Sequence, residues 1–134
     1  MTISVAAASA APLARVGGAA FLDWIGPDLT LFANVDEARV LTGASNPEAA
    51  AATLARRVRF AVVTCGSRGA IAVGGAGVAH IPTEPIKPRD TTGAGDAFAA
   101  GYLDAQGRGA DTRAAVMAGH RTAASACRKL GGRP

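Results

Sequence analysis

Gly93, Ala94, Gly95 and Asp96 stand where a polar loop, Asp90-Thr91-Thr92, passes into an apolar helical run, Ala97-Phe98-Ala99-Ala100-Gly101-Tyr102-Leu103. A Gly-Ala-Gly turn at a helix start aims several unpaired backbone N–H groups at one point, and the absence of side chains lets an anion approach them. That is a phosphate-binding shape. By spacing alone it is equally the shape of a plain tight turn. Asp96 has two readings. A carboxylate beside an anion cradle repels a resting phosphate, so its chemical use would be to accept the proton of a hydroxyl that attacks a γ-phosphoryl group. Its structural use would be to cap the helix.

The elements that must position this turn can be read along the chain. Thr2 to Val5 predicts a short strand running into an alanine-rich loop, Ala6 to Ala11. Leu13, Val16, Ala20, Phe21 and Trp24 recur at helical spacing, and Gly26-Pro27 ends the run. Leu29 to Ala33 and Phe60 to Thr64 are continuous apolar runs of strand length, suited to burial on both faces. Between them, a short helix begins near Asp36 and stops at Gly43. A second starts at Asn46-Pro47-Glu48, an N-cap followed by proline and an early acid, and runs to about Arg57. Gly66 to Gly69 is a turn into a strand at Ala70 to Val73, and Gly74 to Gly77 turns the chain again into Val78 to Ile81. Pro82 to Pro88 holds three prolines and reads as irregular, and Asp111 caps a last helix reaching about Lys129. Strands alternating with helices predict an α/β fold with a mainly parallel sheet and ligands at the carboxyl ends of its strands.

Composition removes several function classes. The 134 residues are 49% hydrophobic and 18% charged, enough for one domain with a core of small side chains, since aromatics make up 4%. Arg15, Asp23 and Asp28 interrupt the apolar N-terminal region before it reaches the ~18 residues of a membrane span. The N-terminus has neither the basic nor the leucine-rich part of an export signal, so a cytoplasmic location is expected. Cys65 and Cys127 lie far apart, and His80 and His120 are isolated, so neither a disulfide framework nor a zinc site is expected. The formal charge of +4 comes from dispersed arginines, with Arg56, Arg57 and Arg59 as the one tight cluster. No aromatics interleave with them, so they read as solvated helix faces rather than a nucleic-acid surface.

Asp90 to Leu103 resembles, without a gap, the C-terminal signature of the ribokinase-like (PfkB) carbohydrate kinases. Asn34-Val35-Asp36-Glu37 resembles the family's Asn-x-x-Glu motif, and Val62 to Ala70 resembles its Thr-x-Gly nucleotide strand and turn. The three occur in family order. The resemblance implies a three-layer ribokinase-like fold, of which residues 1–134 would be the C-terminal, nucleotide-binding half. It implies a kinase that moves the γ-phosphoryl group of ATP to a sugar or nucleoside hydroxyl. Asp96 would be the base, and the N–H groups of Gly93, Ala94 and Gly95 the anion hole. Thr64 and Gly66 would contact the nucleotide, with Gly69 shaping the turn. Asn34 and Glu37 would lie near Mg²⁺ and the phosphates, Glu37 through water. Asp90 and Thr92 occupy the loop where many members bind a monovalent cation, K⁺.

The departures are as specific as the matches. Members run to roughly 300 residues, a size suited to one large α/β domain, and their N-terminal half carries a glycine-pair motif, most sugar contacts and a small β-sheet lid. Ser4 to Ser9 stands where many members have Asp-Pro after the strand, and no acid occurs before Asp23. Two outcomes are therefore expected: a kinase module that works with a complementary N-terminal half or by self-association, or a truncated, catalytically inactive nucleotide-binding fragment.

Overall fold

The computed structural model describes residues 3–7, 10–75, 77–83 and 93–127. Its strands are β1 (Ser4–Ala6), β2 (Thr30–Asn34), β3 (Phe60–Thr64), β4 (Ala70–Gly74) and β5 (Gly77–Ile81), arranged in that order in a five-stranded sheet. β1, β2 and β3 run parallel, with Leu31 opposite both Val5 and Ala61, whereas β4 returns antiparallel to β3 with Ile71 opposite Val63. The tight Gly66–Arg68 turn explains the reversal, because a parallel return would need a crossover of a dozen residues or more. The fold is α/β with a mostly parallel sheet.

The chain divides into two compact units, Met1–Gly66 with Ala70–His80, and Ser67–Gly69 with Ile81–Pro134. In the first, helices α1 (Ala10–Val16), α2 (Gly18–Ile25), α3 (Val35–Thr42) and α4 (Pro47–Ala55) connect the strands. Leu31, Ala61, Val63 and Val73 are buried in one core with Ala38, Leu41 and Leu54 of the helices. Small residues let these layers approach closely, as the composition predicted.

The helical run at Leu13 to Trp24 is two helices rather than one. Gly17 takes φ 93° between them, and a Cβ on Gly18 would strike the Val40 carbonyl and Leu41 Cα of α3. That backbone approach is a tertiary demand invisible to local spacing. The break also uncouples the apolar stripes: Leu13 and Leu22 are buried, while Val16 is 63% and Trp24 83% exposed. Arg57 and Arg59 follow α4 and pair with Asp23 (2.6 Å) and Asp28 (3.4 Å) instead of lining a solvated helix face.

In the second unit, α5 (Ala94–Gly107) and α6 (Thr112–Cys127) pack lengthwise. Asp111 caps α6, its Oδ1 accepting from the Ala114 N–H at 2.8 Å. Glycines set the spacing, since a Cβ on Gly119 would lie 2.8 Å from the Phe98 ring and one on Gly101 would meet the Thr122 hydroxyl. Phe98, Tyr102 and Val116 are buried in this pair. Among the described residues, no helix is long and apolar enough to cross a membrane.

Candidate active site

The parallel register of β2 and β3 puts Asn34 directly opposite Thr64, at the carboxyl ends of neighbouring strands. That edge is where open α/β sheets take their ligands. Asn34 also opens α3. Its Oδ1 accepts from the Glu37 N–H at 2.8 Å, and the Glu37 Oε2 accepts from the Asn34 N–H at 2.9 Å, a reciprocal capping box. The structural reading of this pair is therefore realised: Asn34 ends a strand and, with Glu37, begins a helix. The Asn34 amide N–H₂ and the second carboxylate oxygen of Glu37 are not used by the box.

Beyond Thr64, Cys65 is half-buried, and its Sγ lies 3.6 Å from the Val63 carbonyl. Gly66 follows at φ 59° and opens the 3₁₀ turn. A Cβ there would meet nothing within 4 Å, so backbone and space are both free on that side. Asn34, Glu37, Thr64 and Gly66 thus lie at or next to the carboxyl ends of two adjacent strands. Among the described residues no three His, Cys, Asp or Glu side chains gather as a metal cage.

In the second unit, Gly93 is the N-cap of α5 in the left-handed conformation, φ 78° and ψ 4°. Gly93 offers no side chain to cap this end, and among the described residues Ala97 is the first whose N–H reaches back, to the Gly93 carbonyl at 2.9 Å. The amides of Ala94, Gly95 and Asp96 are the first-turn donors that a helix leaves without intrahelical partners. Asp96 is exposed, sits at the third helical position rather than at the cap, and is the one acid of that turn. Gly69, also in this unit, takes φ 89°, and a Cβ there would collide with the Ile81 carbonyl. Asp90 and Thr92, the residues matched to the cation loop, lie outside the described residues.

The sequence singled out neither the burial of His120 nor its contacts. Its ring meets Phe98 edge-on at 5.2 Å between centroids, and its Nε2 is buried with no hydrogen-bond partner among the described residues. Burial pushes its imidazole below the ordinary value, against a smaller opposite effect of the backbone bond to Ile81. Burial also raises the Tyr102 phenol. A lone histidine carries no spacing signal, so this environment shows only in three dimensions.

With this geometry in place, the comparison with known families is decisive: the model of pfkB family carbohydrate kinases matches residues 6–134. The chain belongs to that family. Over 105 residues it is 35% identical to a cytidine kinase of Thermococcus kodakarensis, a match covering 75% of this chain and 37% of the relative. A probable sugar kinase from Rhizobium etli superposes with a TM-score of 0.91 at 28% identity, covering 99% of this chain and 41% of the other. An aminoimidazole riboside kinase from Salmonella enterica, solved with aminoimidazole riboside and an ATP analog, has a TM-score of 0.75 at 26% identity, over 85% of this chain and 40% of that one. The chain thus spans about two-fifths of the length of these relatives. As a family, they are kinases of sugars and nucleosides.

Proposed function

We propose that residues 1–134 form the C-terminal, nucleotide-binding portion of a kinase that transfers the γ-phosphoryl group of ATP to a hydroxyl of a sugar or nucleoside. The observation that carries this reading is the start of α5: Gly93 in the left-handed conformation with no side chain of its own to cap the first-turn amides, and Asp96 exposed two residues after Ala94. In the proposed reaction the acceptor oxygen attacks the γ-phosphorus, its proton passes to an Asp96 carboxylate oxygen, and the bond from the γ-phosphorus to the β-phosphate bridging oxygen breaks, releasing ADP. The amides at the helix start stabilise the charge that develops on the transferring group, so the protein contributes positioning and electrostatics.

Thr64 and Gly66 supply nucleotide contacts at the strand ends. Mg²⁺ fits the Asn34–Glu37 pair as a hydrated ion, because Mg²⁺ keeps several waters and leans on one or two carboxylates plus phosphates rather than on a protein cage. The ion would neutralise phosphate charge. Glu37 would act on it through water. K⁺ is assigned to the loop of Asp90 and Thr92 by the resemblance alone.

A second reading is favoured by a specific observation. Among the described residues β1 is an edge strand of only three residues, and Ile3 and Trp24 of the same unit are 56% and 83% exposed. An uncovered edge and exposed apolar side chains fit a module that needs a complementary half or a second copy before it catalyses. The discriminating experiment is ADP formation by the purified chain against a panel of pentoses, hexoses and nucleosides, with Asp96→Asn as control. Acceptor-dependent turnover abolished by the substitution supports a working kinase. MgATP binding without turnover supports an inactive nucleotide-binding fragment.

A further inference from the structure

His120 lies at the centre of the α5–α6 contact. Its neighbour Gly119 packs against the Phe98 ring, and its own ring meets the same phenyl edge-on at 5.2 Å. Among the described residues Nε2 has no partner, so the interaction with the Ile81 backbone falls to the Nδ1 side of the ring. In the neutral Nδ1–H tautomer, Nε2 is then a buried acceptor with no donor among the described residues. Phe98 is two residues from Asp96 on α5, so whatever seats Phe98 also seats the first turn of that helix.

We propose that His120 is a positioning residue for the start of α5, and that it serves only as the neutral imidazole. Protonation would place an N–H⁺ at Nε2, which has no hydrogen-bond acceptor among the described residues. A buried charge without a partner is relieved by moving the helices apart or by letting water in. Among the described residues on the elements packed here, the other ionisable groups are Tyr102, Asp96 and Asp104 on α5, Arg113 and Arg121 on α6, and His80 beside Ile81. Tyr102 is buried with its phenol raised, and Asp96, Asp104, Arg113, Arg121 and His80 are exposed, so no buried carboxylate compensates the charge. The sign follows from burial. The folded pKa lies below the unfolded one, so this contribution to stability is full above the unfolded value and is lost as pH falls towards the folded one.

The consequence at Asp96 rests on the kinase reading, but the test does not. Long-range imidazole ¹H–¹⁵N correlations on the labelled full chain should show His120 as the Nδ1–H tautomer at pH 7.5. It should titrate at lower pH than in the same chain unfolded in urea. As it protonates, amide exchange should speed up in α5 and α6 and stay constant in β2 and β3. His120→Phe, which keeps a ring on Phe98, and His120→Gln, which keeps a polar group of similar reach, should both lose that pH-dependent exchange. A titration at or above the unfolded value overturns the proposal. So does a variant that folds and retains the wild-type pH dependence. Loss of MgATP binding at every pH would instead count against the kinase reading and leave this result standing.

Discussion

Asn34 and Glu37 cap each other across the first turn of α3, each side chain accepting from the other's backbone N–H at 2.8 and 2.9 Å. The pair is also the family's Asn-x-x-Glu motif, so a structural role and a proposed ligand role share the same two side chains. The capping box consumes one oxygen of each and fixes the direction of the rest. Orientation without a metal present is what a water-mediated Mg²⁺ contact needs, because the ion's own shell leaves little freedom to search.

The two roles separate by substitution. Asn34→Ala removes the cap acceptor and should cost about 1 kcal/mol of unfolding free energy, read from the urea midpoint. Glu37→Gln keeps an oxygen for the Asn34 N–H and should leave the midpoint nearly unchanged. It should nevertheless weaken ATP binding in the presence of Mg²⁺ and much less in EDTA. Equal weakening in both media would take Glu37 away from the metal.

Asp96→Asn changes an exposed side chain at the third position of α5, with no cap to lose. Its unfolding midpoint should match wild type, and MgATP affinity should hold or rise slightly as a negative charge leaves the phosphate site. Phosphoryl transfer, in whatever assembly is active, should fall by roughly 10²–10⁴, the usual worth of a positioned base. A smaller loss with intact binding would assign the proton to another group.

Gly119→Ala places a Cβ 2.8 Å from the Phe98 ring in a helix pair that has no slack. Overpacking of this kind typically costs about 1–3 kcal/mol. The loss should appear as faster amide exchange in α5 and α6. Gly95→Ala is the contrast, since a Cβ there meets nothing within 4 Å. It should leave stability unchanged or raise it, while crowding an anion held by the first-turn amides. Measured together, unfolding and MgATP titration should move in opposite order for the two glycines.

Gly69→Ala tests a different constraint. The position has φ 89°, and an added Cβ would collide with the Ile81 carbonyl. Both strain and collision penalise a side chain, so a loss of at least ~1–2 kcal/mol is expected in urea unfolding. A neutral result would mean that the turn after β3 has a second conformation of similar energy.

Local chemistry made much of this legible. Asn46-Pro47 and Gly43 begin and end helices where their side chains and conformational freedom say they should. β3 runs over Phe60–Thr64 as its apolar run indicates. What sequence could not supply was set by distant partners. The break at Gly17 exists because Gly18 must touch the α3 backbone, and the stripe from Leu13 to Trp24 continues through it unaware. The antiparallel return of β4 depends on a three-residue turn, not on any difference in the apolar pattern. Of the site, Asn34 and Thr64 announce themselves by motif, but their facing register is a property of the sheet. His120 has no motif at all.

The proposal that matters most is that this chain binds the phosphates of a nucleotide at the first turn of α5. The most direct measurement is calorimetric titration of MgATP into the folded chain at pH 7.5, repeated with Gly95→Ala. The account predicts saturable one-to-one binding that the substitution weakens. A wild-type chain that is folded by circular dichroism and binds no MgATP would contradict it.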